Sequence, residues 1–154
     1  FVDMRYFLPR TESGLGAVLN VINFACSKIG IIGTKFTIEK QLYQNIFNDT
    51  DVRVFIPDDL DLQRINKVIS NLCIGQTNKN DKIVLQKIAK SMILKGAEAI
   101  VLGCTELGLL ITEKSILGAR VLDSSLIHAD KLSELSLKGN ISTNVSDVSS
   151  TTNV

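Results

Sequence analysis

The chain has few residues of the kinds that build metal sites, and it has no excess of either charge. Among its 154 residues there are three cysteines, one histidine (His128) and no tryptophan, and the formal net charge is +1. The cysteines, Cys26, Cys73 and Cys104, are widely separated, and no pair has the short spacing of zinc ligands. We therefore expect neither a metal site nor nucleic-acid binding, which usually requires a basic surplus.

Long apolar runs are also missing. No segment resembles the roughly 20 apolar residues of a membrane span, and the first residues are too polar to predict a signal peptide. An odd number of unclustered cysteines is typical of reduced thiols, which predicts a cytoplasmic protein. Because the chain begins with Phe1 and not Met, we expect a fragment or an incomplete gene model.

The sequence does contain a regular alternation of apolar runs and helical patterns. The apolar runs predict strands at residues 28–33, 52–56, 99–103 and 119–122. Periods near 3.6 residues predict helices at residues 34–48, 60–72, 80–94, 107–111 and 126–137. This alternation predicts an α/β fold, with a parallel sheet and helices on both faces.

The two ends of the chain differ from this pattern. Residues 1–27 show no clean period apart from a weak helical pattern near their end. Residues 139–154 are rich in Ser, Thr and Asn, a composition that predicts a disordered tail. We therefore expect one α/β lobe at residues 28–138, between a poorly matching N-terminal segment and this tail.

The main candidate site follows the third predicted strand, where residues 99–106 read AIVLGCTE. Ligands of parallel sheets bind beyond the carboxyl ends of the strands. Cys104 lies at such an end, and the helix predicted after it would lower its pKa. Thr105 and Glu106 are candidates for substrate binding. The alternatives are a small packing residue at Cys104, a helix cap at Thr105, and a favourable helix-dipole position for Glu106.

A second candidate turn comes after the first predicted strand. Gly33 precedes Thr34 and Thr37, whose hydroxyls could bind an anion. Their spacing does not match a phosphate-binding loop, and capping of the next helix is the favoured interpretation. The remaining candidates, Cys26, Cys73 and His128, are interpreted as structural.

Four stretches, taken in order, resemble one family. Residues 28–39 read KIGIIGTKFTIE with Leu42 and Tyr43 after them, 72–75 read LCIG, 96–107 read GAEAIVLGCTEL and 121–129 read VLDSSLIHA. Together they resemble the second half of the aspartate/glutamate racemases, which are cofactor-independent amino-acid racemases. The Gly-Cys-Thr-Glu motif is similar to the aspartate and broad-specificity branch, since the glutamate branch usually has histidine at position 106.

The resemblance implies one lobe of a two-lobed fold in which thiol and thiolate exchange the α-proton of an amino acid. It implies no pyridoxal phosphate, metal or nucleotide, aspartate or glutamate as substrate, and a homodimer. By this likeness Cys104 is one acid/base, and Thr105, Glu106, Thr34 and Thr37 contact the substrate. The family's first-half cysteine has no counterpart here, so we expect an incomplete chain.

Other functions remain open. The alternatives are a non-catalytic remnant that binds a carboxylate or a protein, and a plain structural domain. Hydantoin racemisation, maleate isomerisation and malonate decarboxylation are further options on the same scaffold. Without a first lobe to cover the last helix, we expect an exposed apolar stripe or a dimer contact there, formed by Leu126, Ile127, Leu132, Leu135 and Leu137.

Overall fold

The computed structural model describes residues 26–146, with backbone alone considered at 131, 135 and 138–146. Its centre is a five-stranded sheet of order β2-β1-β3-β5-β4. Strands β2, β1, β3 and β5 are parallel, and the short β4 pairs with β5 in the antiparallel direction. The strands are β1 (Lys28–Ile32), β2 (Arg53–Phe55), β3 (Ala99–Leu102), β4 (Ser115–Ile116) and β5 (Ala119–Asp123).

Helices connect β1 to β2 and β2 to β3, whereas a short turn and β4 lie between β3 and β5. The mostly parallel sheet with its helices confirms the predicted α/β class. The helices are α1 (Lys35–Glu39), α2 (Gln44–Phe47), α3 (Asp59–Cys73), α4 (Lys79–Leu94) and α5 (Ser124–Ser146). One short 3-10 turn, Leu107–Leu109, comes after β3. Where the sequence predicts a helix at 107–111, this single turn is all that forms.

The core has two layers because successive side chains of a strand point to opposite faces. On β3, Ile100 and Leu102 face the layer that contains α3 and α4. Ala99 and Val101 face the other layer, which contains side chains of α1 and α2. All four β3 side chains are fully buried, so the strand that carries the candidate site is the best covered part of the sheet.

The helix predicted at 34–48 is wrong as one continuous element. It breaks after Glu39, where Gln41 takes a left-handed conformation with φ of 52°. The amide of Leu42 donates to the carbonyl of Thr37 (3.1 Å), and the Gln44 side chain donates to the carbonyl of Ile38 (3.2 Å). The bend separates α1 from α2, and Tyr43, which follows it, is buried in the α1 and α2 layer.

The longer connecting helices begin at polar caps. Asp58, after Pro57, accepts a hydrogen bond from the amide of Asp61 (2.8 Å) and begins α3. Asn78 and Asp81 form a reciprocal capping box that begins α4. Such caps satisfy amides that have no partner inside the helix. Helix α4 begins slightly before the predicted start at residue 80.

The strand patterns do not predict the tight hairpin between β4 and β5. Leu117 and Gly118 both have positive φ, 48° and 83°, which is the geometry of a two-residue hairpin turn. Strand β4 has only two residues, so its alternation is too short to be recognised.

The last helix is longer than predicted. It begins at Ser124 and reaches Ser146, so residues 139–146 are helical, whereas 147–154 lie outside the described residues together with 1–25. Of the predicted apolar stripe, Leu126, Leu132 and Leu137 are exposed and Ile127 packs against the core. Leu135 is among the side chains not described. Between residues 26 and 146, we find no helix with the length and apolarity that a bilayer crossing demands.

Candidate active site

The turns after β1 and β3 lie side by side at the carboxyl edge of the sheet. The amide of Gly103 donates to the carbonyl of Ile32 (2.8 Å). A Cβ built on Gly33 would lie 3.5 Å from the carbonyl oxygen of Gly103. The structure therefore brings the Thr34 turn and the Cys104 turn together, as expected from their positions on neighbouring parallel strands.

Two donors converge on one carboxylate oxygen in the Cys104 turn. The Cys104 thiol donates to Oε2 of Glu106 (2.8 Å), and the Thr105 hydroxyl donates to the same oxygen (2.7 Å). Cys104 is half-buried and packs against the α3 and α4 layer, while Thr105 is exposed. The predicted trio therefore forms a contiguous polar group that solvent can reach.

This arrangement keeps the thiol protonated. Burial raises the pKa of Cys104 to about 12, and the hydrogen bond to Glu106 acts in the same direction. Conversely, the hydrogen bond from Cys104, followed by that from Thr105, lowers the pKa of Glu106. A shared proton thus stays on sulfur, and the carboxylate stays charged.

The predicted lowering of the thiol pKa is therefore wrong. It assumed a helix beginning directly after Cys104, with several free amides aligned at its start. The 3-10 turn Leu107–Leu109 is a single turn, so its dipole is small. A hydrogen bond with the Glu106 backbone does act in the lowering direction, but burial outweighs it.

The hydroxyls of the neighbouring turn are used locally. The Thr34 side chain accepts from the amide of Thr37 (3.1 Å), and the two hydroxyl oxygens lie 2.9 Å apart. This confirms Thr34 as the cap of α1. Thr37 is only 5% exposed, whereas Thr34 is half-buried, so Thr34 is the more accessible of the two.

The turn after β5 completes this edge of the sheet. Oδ1 of Asp123 accepts from the amides of Ser125 (2.9 Å) and Leu126 (3.3 Å), at the start of α5. The Ser124 hydroxyl donates to the carbonyl of Leu102 (2.7 Å). Asp123 also packs against Gly108, where a Cβ would overlap with the carboxylate. The β5 turn is thereby joined to both ends of the Cys104 segment.

Tyr43 is a buried polar residue of this site that the sequence patterns do not reveal. Its side chain is 2% exposed, and its ring lies against Gly103. In the helical pattern of residues 34–48, Tyr43 counts simply as one of the apolar positions. The signal that could have found it is its hydroxyl, since a buried phenol normally has a hydrogen-bond partner.

The remaining candidates lie at the margins. Cys26 packs against the α1 and α2 layer, and Cys73 is exposed at the end of α3. Cys73 is close enough to Cys104 for its charge to raise the pKa of that thiol. His128, half-buried in the first turns of α5, has an interaction partner. Within residues 26–146, no group of three His, Cys, Asp or Glu side chains is arranged to hold a metal ion.

Residues 13–132 match the Asp/Glu/Hydantoin racemase family. The chain belongs to this family. The match includes residues 13–27, which precede the predicted lobe, so the lobe boundary at residue 28 stays a prediction. It also covers every candidate side chain described above.

Solved structures of racemases have the same fold. A candidate Asp/Glu racemase from Yersinia pestis is 28% identical with a TM-score of 0.68, and it covers 81% of this chain and 54% of its own. An aspartate racemase homologue from Pyrococcus horikoshii OT3 is 31% identical with a TM-score of 0.68, covering 79% and 54%. An aspartate racemase from Picrophilus torridus, 19% identical with a TM-score of 0.63, shows the shared fold alone, over 79% and 50%.

A curated relative is also similar. An uncharacterised protein from the pnlA 3′ region of Pectobacterium carotovorum subsp. carotovorum is 23% identical over an alignment of 105 residues, which covers 63% of this chain and 69% of the relative. By contrast, this racemase-family chain spans about half the length of the solved structures it matches.

Proposed function

We propose that this chain contributes an acid/base thiol, Cys104, to cofactor-independent racemisation of an amino acid, with aspartate or glutamate as the substrate. The observation that supports this most directly is the convergence of the Cys104 thiol and the Thr105 hydroxyl on Glu106, at the carboxyl end of β3. Membership of the racemase family supports the same reaction class.

In the resting state Cys104 is an acid. With a pKa of about 12, the thiol is protonated at neutral pH and suited to protonating a carbanion. Glu106 is a poor acceptor of that proton because its own pKa is lowered. Since each pKa unit corresponds to about 1.4 kcal/mol, transfer from thiol to carboxylate is strongly uphill without a substrate.

Substrate binding changes this balance. The ammonium group of an amino acid would pair with the Glu106 carboxylate and replace the thiol as its hydrogen-bond donor. A cation close to sulfur favours the thiolate and lowers its pKa. The bound substrate thereby favours release of the Cys104 proton to solvent, and the resulting thiolate removes the α-proton of the substrate. The thiol of the free protein stays protonated.

The carbanion also requires stabilisation. Removing an α-proton moves charge onto the substrate carboxylate, and fixed donors aimed at that charge lower the barrier. We assign this role to the hydroxyls of Thr105 and Thr34, with Thr37 holding Thr34 in place through their 2.9 Å contact. Thr105 is exposed and Thr34 half-buried, so a ligand can reach both. The single hydrogen of the Thr105 hydroxyl turns from Glu106 to the substrate once the ammonium group pairs with that carboxylate.

The test is exchange of the α-proton of aspartate and glutamate in deuterium oxide, followed by mass spectrometry. We expect Cys104→Ser to reduce the exchange rate at least about 100-fold, the usual range for loss of an acid/base group. Cys73→Ser is the matched control, because Cys73 is an exposed thiol, and it should retain activity.

Chirality of the product adds a second readout. Exchange with retained configuration indicates one acid/base, whereas exchange with inversion indicates two groups on opposite faces of the α-carbon. Either result supports the role of Cys104 if Cys104→Ser abolishes it. Absence of exchange with both substrates, or exchange that survives Cys104→Ser, would contradict the proposal.

A binding role without chemistry is the second candidate. The pKa of about 12 favours it, since a protonated thiol is a weak nucleophile and base. Calorimetry with dicarboxylates separates the two functions. Binding that persists in Cys104→Ser, without exchange in the unaltered protein, would support a carboxylate-binding remnant.

We further propose a homodimer in the reducing cytoplasm. The exposed Leu126, Leu132 and Leu137 of α5 support the first part, and the unpaired state of Cys26, Cys73 and Cys104 is compatible with the second. Analytical ultracentrifugation tests the dimer, and a monomer at all protein concentrations would contradict it.

A further inference from the structure

The Tyr43 ring fills the space beside the residue that precedes Cys104. A Cβ built on Gly103 would lie 2.9 Å from Cε2 of Tyr43 and 3.4 Å from its phenolic oxygen. With only 2% of its surface exposed, the ring cannot move aside without disturbing the α1 and α2 layer. Tyr43 therefore packs directly against Gly103, at the start of the Cys104 turn.

The phenol is also part of a hydrogen-bonded chain. Tyr43 bonds with the side chain of Ser124, and the Ser124 hydroxyl donates to the carbonyl of Leu102 (2.7 Å). A serine hydroxyl has one hydrogen, so the Tyr43 hydroxyl is the donor to Ser124. These two hydrogen bonds link the segment before α2 to the start of α5 and the end of β3.

The phenol remains a donor across the working pH range. Burial raises the pKa of Tyr43, and the nearby Asp123 carboxylate adds to the rise. The Tyr43 hydroxyl thus keeps its proton, and its bond to Ser124 is not lost at neutral or mildly alkaline pH.

We propose that Tyr43 is a positioning residue, whose hydroxyl fixes the end of β3 through Ser124 and so holds the Cys104 thiol on Glu106. Its importance for catalysis rests on the function proposed above. The hydrogen bond between Tyr43 and Ser124 should affect the reactivity of the Cys104 thiol, and this reactivity can be measured without any substrate.

The experiment compares iodoacetamide alkylation of Cys104 and Cys73 in the same chain, followed by peptide mass spectrometry from pH 6 to 10. Cys73 is exposed and serves as the internal reference. Loss of one ordinary hydrogen bond corresponds to about a fivefold change in an equilibrium. Tyr43→Phe should therefore raise the Cys104-to-Cys73 rate ratio about fivefold and shift the Cys104 profile to lower pH.

Two further variants separate positioning from general stability. Ser124→Ala should reproduce the change, and the Tyr43→Phe/Ser124→Ala double variant should exceed neither single variant, because both break the same chain. Phe47→Leu is the control. Phe47 is buried in the same layer of the core, so this change should lower the melting temperature and leave the ratio unaltered.

The titratable groups near the two side chains are Glu106, Cys73 and Asp123, and none is altered in these variants. An unchanged ratio in both Tyr43→Phe and Ser124→Ala, or an equal change in Phe47→Leu, would overturn the proposal. If the ratio shifts but the unaltered protein exchanges no α-proton, the racemase function fails and the positioning role stands. If the unaltered protein exchanges the α-proton but the Cys104-to-Cys73 ratio is unchanged in Tyr43→Phe and Ser124→Ala, only the positioning role fails.

Discussion

The turns after β1 and β3 have similar sequences but use their side chains differently. Each has a glycine at the strand end, with a threonine close behind it. After β1, the hydroxyl of Thr34 accepts from the amide of Thr37. After β3, the hydroxyl of Thr105 and the thiol of Cys104 both donate to Glu106.

The difference lies in the element to which each turn leads. After Thr34 a helix begins, and its free amides take the hydroxyl as a cap. After Thr105 only a 3-10 turn forms, and no side chain of the described region caps it. Because no helix requires the Thr105 hydroxyl as a cap, this hydroxyl and the Cys104 thiol can both donate to the Glu106 carboxylate. The Thr105 hydroxyl therefore serves the Glu106 carboxylate, whereas the Thr34 hydroxyl also caps α1.

The largest expected effect on stability comes from replacing each of the two strand-end glycines, Gly33 and Gly103, with alanine. Gly103→Ala places a Cβ 2.9 Å from the buried Tyr43 ring, and overpacking of this kind costs about 1–3 kcal/mol. Gly33→Ala meets Thr37 Cγ2 at 3.2 Å and should cost less than Gly103→Ala. Urea unfolding measures both, and equal losses would show that the two turns are packed alike.

Next in size is the effect of the carboxylate on the thiol. In Glu106→Gln the negative charge next to Cys104 is removed, so the pKa of Cys104 should fall from about 12 while burial keeps it above its ordinary value. One pKa unit is about a tenfold change in thiolate, and we expect about tenfold faster alkylation at pH 8. A Cys104 alkylation profile identical to that of the unaltered protein would count against the Glu106 contact.

The same thiol makes stability depend on pH. The folded thiol ionises near pH 12, whereas an unfolded thiol ionises near its ordinary value of 9.0. Between these values the unfolded chain binds fewer protons, so the free energy of unfolding should fall as pH rises through this window. Urea unfolding at a series of pH values measures the decline, and Cys104→Ser should flatten it.

The smallest effect on stability distinguishes a hydroxyl that caps a helix from one that does not. Thr34→Ala removes the α1 cap and should cost about 1 kcal/mol. Thr105 is exposed and does not cap the 3-10 turn, so Thr105→Ala should change stability by less than about 0.5 kcal/mol. Thermal unfolding distinguishes them, and a larger loss from Thr105→Ala would reverse the assignment of roles.

The sequence predicts those parts of the fold that depend on local patterns. The four parallel strands are predicted by apolar runs, and α3 and α4 by helical periods at residues 60–72 and 80–94. The break at Gln41 was missed because no proline or glycine marks it within residues 34–48. The hairpin at Leu117 was missed because β4 has only two residues. Both depend on tertiary packing, which draws Tyr43 and Ile116 into the core.

The site is predictable to a similar extent. Cys104, Thr105 and Glu106 are adjacent in sequence, so their grouping needs no knowledge of the fold. The pairing of Tyr43 with Gly103 and Ser124 joins segments far apart in the chain, and no local pattern reveals it. The direction of the Cys104 pKa was missed because it depends on the length of the next turn and on burial.

A thiol held in its protonated form is a poor target for oxidants, since peroxide reacts with thiolates. Cys104, with its pKa of about 12, should resist conversion to sulfenic acid while the protein is empty. Exposed Cys73 would be modified first. Burial, together with the bond to Glu106, thus protects the sulfur from oxidative damage.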